Sequence, residues 1–319
     1  MLEILIVKTS SMGDVIHQLP AVTDLRLHFP DARIDWVAEE SFADIPALHP
    51  GVGEVIPAAV RRWRRTLSSR AAWQEMRAFK TRLQARDYDV VMDSQGLIKS
   101  AVIARLARGA RCGFDRASAR EPLAALAYDK AFPVPRQLHA VERNRMLAGL
   151  AFGYEPDTPP DYGVAAPALD LPWLPRAPYV VLLHATSRAD KEWPQADWLA
   201  LADWCNGAGL ACVLPWGSEP ERERSESLAG QMGLAVVPPR LSLRQAAAML
   251  AASRAAVGVD TGLTHLAAAL KTPVAAIYCA SDPGLTGVYA STPHTNLGGV
   301  GLPPAADEVI AALAELIPA

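Results

Sequence analysis

Short runs of consecutive apolar residues, each followed by a polar or glycine-containing turn, recur along the chain. EILIV (3–7), RIDWVA (33–38), EVIP (54–57), DVVMD (89–93) and RCGF (111–114) read as strands. Runs with so little polar alternation suit strands covered on both faces. Between them, 15–28, 41–48, 71–86 and 98–107 carry apolar residues at helical spacing. After a proline-dense stretch without period, 154–178, the alternation restarts. YVVLL (179–183), LACVL (210–214), LAVVP (234–238), AAVGV (255–259) and PVAAIY (273–278) are strand candidates. Helices are expected at 194–207, 221–232, 242–252, 262–270 and near 306–317. Strand–helix alternation of this kind predicts an α/β protein with doubly wound parallel sheets. The expected division is a first domain over 1–160, a linker over 161–178 and a second domain over 179–304. The closing helix, 305–319, is expected to pack back on the first domain, and a cleft is expected between the two. In such sheets ligands sit outside the carboxyl ends of the strands. That directs attention to 8–17, 93–100, 184–194, 215–221 and 260–265.

Composition changes this picture little. At 319 residues the chain exceeds what one core usually serves, and 50% hydrophobic with 20% charged residues is ordinary for a globular protein. No apolar run is long enough to span a bilayer, and the N-terminus lacks the basic leader of a signal peptide. The four cysteines, Cys112, Cys205, Cys212 and Cys279, show no metal or redox spacing, which suits a reducing, cytoplasmic compartment. Charge adds more. Residues 1–160 hold 22 basic against 19 acidic residues, and 161–319 hold 9 against 15. Residues 61–86 alone carry nine basic residues and one acid, Glu75. Such a block suggests an anionic partner, or else a solvated helix face.

Candidate chemistry lies at the strand ends. VKTSSMGDVIHQLPA (7–21) places Lys8, Ser10, Ser11, Gly13 and Asp14 after the first strand, without the glycine spacing of a dinucleotide or P-loop turn. Asp14 is either a helix N-cap or a functional carboxylate, acting as a general base or as a charge stabiliser. DSQGLIKS (93–100) is a glycine-containing strand end followed by Lys99, and reads equally as a turn. VDTGLTHLAAAL (259–270) sends Asp260, Thr261 and Gly262 into a helix start, a seat for a diphosphate, with His265 on the same face as Thr261. The alternative there is an ordinary cap above a buried histidine. HATSRADKEWP (184–194) offers Thr186, Ser187 and Lys191. PWGSEPERER (215–224) offers Glu221 at a helix start, either a dipole partner or an acceptor for ribose hydroxyls.

Together with VRRWRR, AREPLA, HAVER and LPWGSEPER, these segments resemble, in order and across both halves, the lipopolysaccharide heptosyltransferases. DTGLTHL is shared across that family, while the SSMGD loop and the arginine cluster resemble its type I members. The resemblance implies a GT-B fold of two facing Rossmann-like domains and an inverting, metal-independent glycosyltransferase with no cofactor. It implies ADP-L-glycero-β-D-manno-heptose as donor and the Kdo residue of Kdo2-lipid A as acceptor. Asp14 becomes the catalytic base, with Lys191 supporting the leaving group. Thr186, Ser187, Lys191, Thr261, Gly262 and His265 fall on the diphosphate, and Glu221 and Asp260 in the nucleoside and sugar region. Leu241 falls against adenine, where Met is usual in the family, a volume-conserving change. Ser10, Ser11, Gly13, Arg61, Arg62, Arg64, Arg65, Arg120, His139 and Arg143 fall on the acceptor side. It further implies a monomer, peripheral at the cytoplasmic face of the inner membrane, with no nucleic-acid partner. A type II acceptor is the alternative within the family, and a non-catalytic module binding anionic lipid the alternative outside it. A dehydrogenase would need a dinucleotide fingerprint that TSSMGD lacks.

Overall fold

The first apolar run becomes the central strand of a sheet. In the computed structural model, which describes residues 1–66, 68–186 and 188–317, β1 is Glu3–Val7, with four of its five residues buried. It is followed by β2 (Arg33–Glu39), β3 (Val52–Ala58), β4 (Asp87–Asp93), β5 (Arg108–Phe114) and β6 (Lys130–Phe132). All pairings are parallel, in the order β3-β2-β1-β4-β5-β6. Parallel neighbours cannot be joined by a tight hairpin, so helices fill the crossovers and cover the faces. The helix Arg70–Leu83 buries Ala72, Phe79 and Leu83 on one side, and these join Leu5, Val7, Val37 and Val91 in the core.

The second series repeats the plan. β7 (Tyr179–Leu183), β8 (Ala211–Val213), β9 (Ala235–Val236), β10 (Ala255–Val259), β11 (Val274–Tyr278) and β12 (His294–Gly298) pair in parallel in the order β12-β11-β10-β7-β8-β9. Numbered within its own unit this is the same strand order as the first sheet, the doubly wound order 3-2-1-4-5-6. Val180, Leu182, Val257 and Val259 pack with Trp193, Trp198 and Leu201 in its core.

The two compact units are Met1–Val164 and Ala165–Ala319. Their boundary falls inside the proline-rich stretch. The closing helix, Ala306–Leu316, belongs to the second unit and places Val309 and Leu313 in that unit's core. This corrects the expected assignment of the helix to the first domain: its apolar face completes the cover of β10 and β11.

Two expected helices differ for one reason. The pattern at 15–28 is broken into Met12–Ile16 and Leu19–His28, with Pro20 in the first turn of the second. The pattern at 41–48 is two 3-10 turns, Glu40–Phe42 and Pro46–Leu48, the second again opened by proline. Proline lacks the N–H an interior position needs and fits where that N–H has no partner.

Candidate active site

In both sheets the connections change direction between the first and fourth strands, which opens a crevice at the carboxyl ends of that pair. In the first unit the loops concerned follow β1 (Lys8–Asp14) and β4 (Asp93–Lys99). Asp14 sits in the first turn of Met12–Ile16 and accepts hydrogen bonds on Oδ2 from the Ser11 N–H at 2.7 Å and the Ser11 hydroxyl at 3.0 Å. The N-cap of this helix is Ser11, so Asp14 is not the cap that its place after Gly13 suggested but the third helical residue. The carboxylate closes a capping box, yet it stays half-buried and reachable, with Arg120 Nη1 3.9 Å from Oδ2.

The neighbouring loop locks this turn in place. Gln95 Oε1 accepts the N–H groups of Thr9 and Ser10 at 3.0 and 3.1 Å, and Lys99 Nζ donates to Ser10 Oγ at 2.8 Å. Behind it lies Lys8, buried, donating to the Ser94 carbonyl at 2.7 Å and to Asn144 Oδ1 at 3.3 Å. Burial pushes this ammonium down to about 8, against the opposing pull of Asp14 and Asp93. Asp93 is itself buried and accepts from Gln95 N, Gly96 N and Tyr128 Oη, and its burial raises it. Two buried charges beneath Asp14 are thus held by many polar contacts. Lys8 was visible in sequence only as a strand-end lysine, and its partners Ser94 and Asn144 come from remote segments.

The predicted basic residues divide. Arg61 lies over the Phe42 ring at 5.2 Å, and Arg64 and Arg65 are exposed without a carboxylate partner among the described residues. The charges of Arg61, Asp14 and Arg64 all reach Lys99, lowered chiefly by burial, so the arginine turn and the Asp14 loop share one neighbourhood. Arg62 is engaged with Glu40 at 3.0 Å and Glu75 at 2.7 Å. His139 is buried, and its Nδ1 accepts the Val141 N–H at the head of the helix Ala140–Phe152. Arg143 lies over Phe114 and donates to the Ser118 carbonyl. These last three are tied to the protein's own groups.

In the second unit the corresponding loops follow β7 and β10. Asp260, at the end of β10, accepts Lys191 Nζ at 2.5 Å and Ser281 Oγ at 2.6 Å on Oδ2, with His265 Nε2 3.6 Å from Oδ1. Burial alone would raise this carboxyl, but His265, Lys191 and Ser281 hold it well below the usual range. Thr186 Oγ1 reaches the Asp260 carbonyl at 3.4 Å, which brings two separately predicted segments, 184–194 and 259–270, together. Ser281, after β11, was missed: no local motif marks it. Thr261 precedes the helix Gly262–Ala269 with no side-chain cap, so its first N–H groups have no side-chain acceptor there. Thr264, inside the same turn, donates to the Val259 carbonyl at 2.7 Å and ties the helix to β10. Glu221 accepts the N–H groups of Gly217 and Ser218 at 2.7 and 3.1 Å, the capping role its position allowed. Leu241 is half-buried just before the helix Leu243–Ala252. Ser187 lies outside the described residues.

The repeated Rossmann-like plan has counterparts among known proteins. The model of glycosyltransferase family 9 (heptosyltransferase) matches residues 76–307. The chain belongs to glycosyltransferase family 9. It is 49% identical over 291 residues to lipopolysaccharide heptosyltransferase 1 of Pseudomonas aeruginosa, covering 90% of this chain and 81% of that one. Identity is 46% over 290 residues to the Escherichia coli K12 protein of the same name, covering 90% and 91%. Among solved structures, E. coli heptosyltransferase WaaC with ADP matches with a TM-score of 0.90 at 42% identity, covering 99% of this chain and all of that one. E. coli ADP-heptose LPS heptosyltransferase II matches with a TM-score of 0.79 at 21% identity over 99% and 98% of the two chains, a likeness of fold. This family 9 member is a glycosyltransferase of the GT-B class, with a Rossmann-like α/β sheet in each unit.

Proposed function

We propose that this protein transfers L-glycero-D-manno-heptose from ADP-heptose to the Kdo residue of Kdo2-lipid A, with Asp14 as general base. Heptose transfer in assembly of the lipopolysaccharide inner core rests on family membership and on the relatives named above. The choice of acceptor and the residue roles are our reading. The observation that carries it is the half-buried Asp14 carboxylate, fixed by Ser11 at the β1/β4 switch beside Lys99 and the exposed arginines.

In the reaction, Asp14 takes the proton of the attacking Kdo hydroxyl, a poor nucleophile until that proton is shared. The oxygen bonds to C1 of the heptose as the C1–O bond to ADP breaks on the opposite face, inverting the centre. The electron pair leaves with the diphosphate. Lys191 and the N-terminus of Gly262–Ala269 meet that charge with a cation and free N–H donors, so no divalent ion has to be supplied. Thr186, Thr261 and His265 are placed to orient the diphosphate. Arg61, Arg64, Arg65 and Arg120 meet the phosphates and carboxylates of the acceptor. Work on such an acceptor places the protein peripherally at the cytoplasmic face of the inner membrane.

The test is release of ADP from ADP-heptose in the presence of Kdo2-lipid A, with the mass of the product lipid. A gain of one heptose on the Kdo is expected. Turnover only with an already heptosylated acceptor would replace this reading with a type II activity.

A further inference from the structure

Four large apolar side chains stand open at the carboxyl edge of the first unit's sheet. Ile98 and Val102, one turn apart on the helix Ile98–Leu106, are 47% and 54% exposed. Leu123 and Leu126, on the 3-10 turn Pro122–Ala127, are 58% and 67% exposed. The two elements pack together. The Ile98 N–H donates to Glu121 Oε2 at 2.6 Å, and the Glu121 N–H to the Gly96 carbonyl at 2.9 Å. Both elements also present a buried side: Ala101, Ile103 and Ala104 on the helix and Ala124 on the turn are in the interior. The open side chains are therefore an outer face and not a frayed core.

This face adjoins the proposed acceptor seat. Lys99, next to Ile98, holds Ser10, and Arg120, three residues before Leu123, faces Asp14. Its rim is basic. Residues 96–130 contain seven basic residues and three acids, although Arg108 and Arg111, at the start of β5, are paired with Asp87 at 3.6 Å and Asp129 at 2.7 Å. Each acid is occupied: Asp115 by the Ser118 N–H at 2.8 Å, Glu121 by the Ile98 N–H, and Asp129 by Arg111 at 2.7 Å. Arg116, just after β5, is exposed and has no carboxylate partner among the described residues, whereas Arg105 lies in the last turn of the helix, where its charge acts on Asp129.

We propose that Ile98, Val102, Leu123 and Leu126 insert into the acyl layer of an anionic bilayer while the surrounding arginines meet its headgroups. Apolar side chains ringed by cations are the arrangement that holds a protein in the bilayer interface without crossing it. No helix among the described residues is long and apolar enough to cross. A second copy could also cover the patch, but a two-fold contact would set the basic rim against itself. The inference rests on the reading above that the acceptor is a membrane glycolipid, and it adds insertion to what would otherwise be attraction by charge.

The test is sedimentation of the whole protein with phosphatidylglycerol–phosphatidylethanolamine vesicles, at low and high salt, for wild type and for Leu123→Asp/Leu126→Asp. Wild type should bind, keep part of its binding in high salt, and lose roughly 100-fold or more in the double variant, each buried leucine contributing about tenfold. The variant should turn over a deacylated, water-soluble Kdo acceptor at the wild-type rate. Equal vesicle binding by both proteins, or none by wild type, would overturn the proposal. So would a wild-type dimer that the substitutions convert to a monomer in sedimentation velocity. Absence of heptose transfer by wild type to any Kdo acceptor would instead sink the underlying functional reading.

Discussion

At the scale of single residues, the proposed site is built on ordinary capping geometry. Asp14 accepts two hydrogen bonds from Ser11 and still presents its carboxylate. Asp14→Asn keeps the shape and removes the base, so kcat should fall by about 10²- to 10⁴-fold with the thermal midpoint and ADP affinity near wild type. Near-normal turnover in the variant would assign the proton to another group. Lys8 makes a prediction of opposite kind. Its folded value of about 8 lies below its ordinary 10.5 because burial disfavours the charge. Between those values the unfolded chain binds the proton and the folded chain does not, so stability should rise with pH through that window. The rise is on the order of 3 kcal/mol, and Lys8→Met should flatten it in urea unfolding measured from pH 7 to 10. Asp14, Lys191, Asp260 and Thr261 were legible in sequence because strand ends name themselves. Ser281 and Asn144 were not, because they reach the site only through the fold, and Gln95 was visible only as part of the strand end 93–100.

At the scale of elements, burial on both faces made β1, β7 and β10 readable to the residue from EILIV, YVVLL and AAVGV. Two of the four edge strands escaped: β6 is three residues long, and β12, HTNLG, is largely polar. The helix Ala140–Phe152 escaped for another reason. It buries Asn144 and Arg145, the latter paired with Asp24 at 2.7 Å, so polar residues occupy interior positions and blur its period. Parallel sheets also demand close helix approach. At Gly258 in β10 a Cβ would lie 2.3 Å from Thr264 Oγ1 and 2.9 Å from Leu183 Cβ. Gly258→Ala should therefore destabilise the protein by about 1–3 kcal/mol, read as a lower denaturant midpoint. An unchanged midpoint would mean that the helix carrying Thr264 moves without penalty.

At the scale of the molecule, the units carry different charge and, on the proposed reading, different substrates. Arg64→Ala/Arg65→Ala should raise acceptor KM severalfold and leave ADP affinity almost unchanged, since neither side chain belongs to the second unit. Loss of ADP binding with intact acceptor KM would reverse the assignment. Activity should survive EDTA, because Lys191 and a helix N-terminus supply the positive charge; full loss restored by a divalent salt would refute that. Both sheets follow the same strand order, and the chain passes between them through 154–178, where no strand or helix is formed. A recombination junction placed there severs no sheet ladder in either half. Related genes could thus trade their first halves, inheriting a working grip on the nucleotide while acquiring a new taste in acceptor sugars, and a lineage could diversify its surface glycans one half-gene at a time.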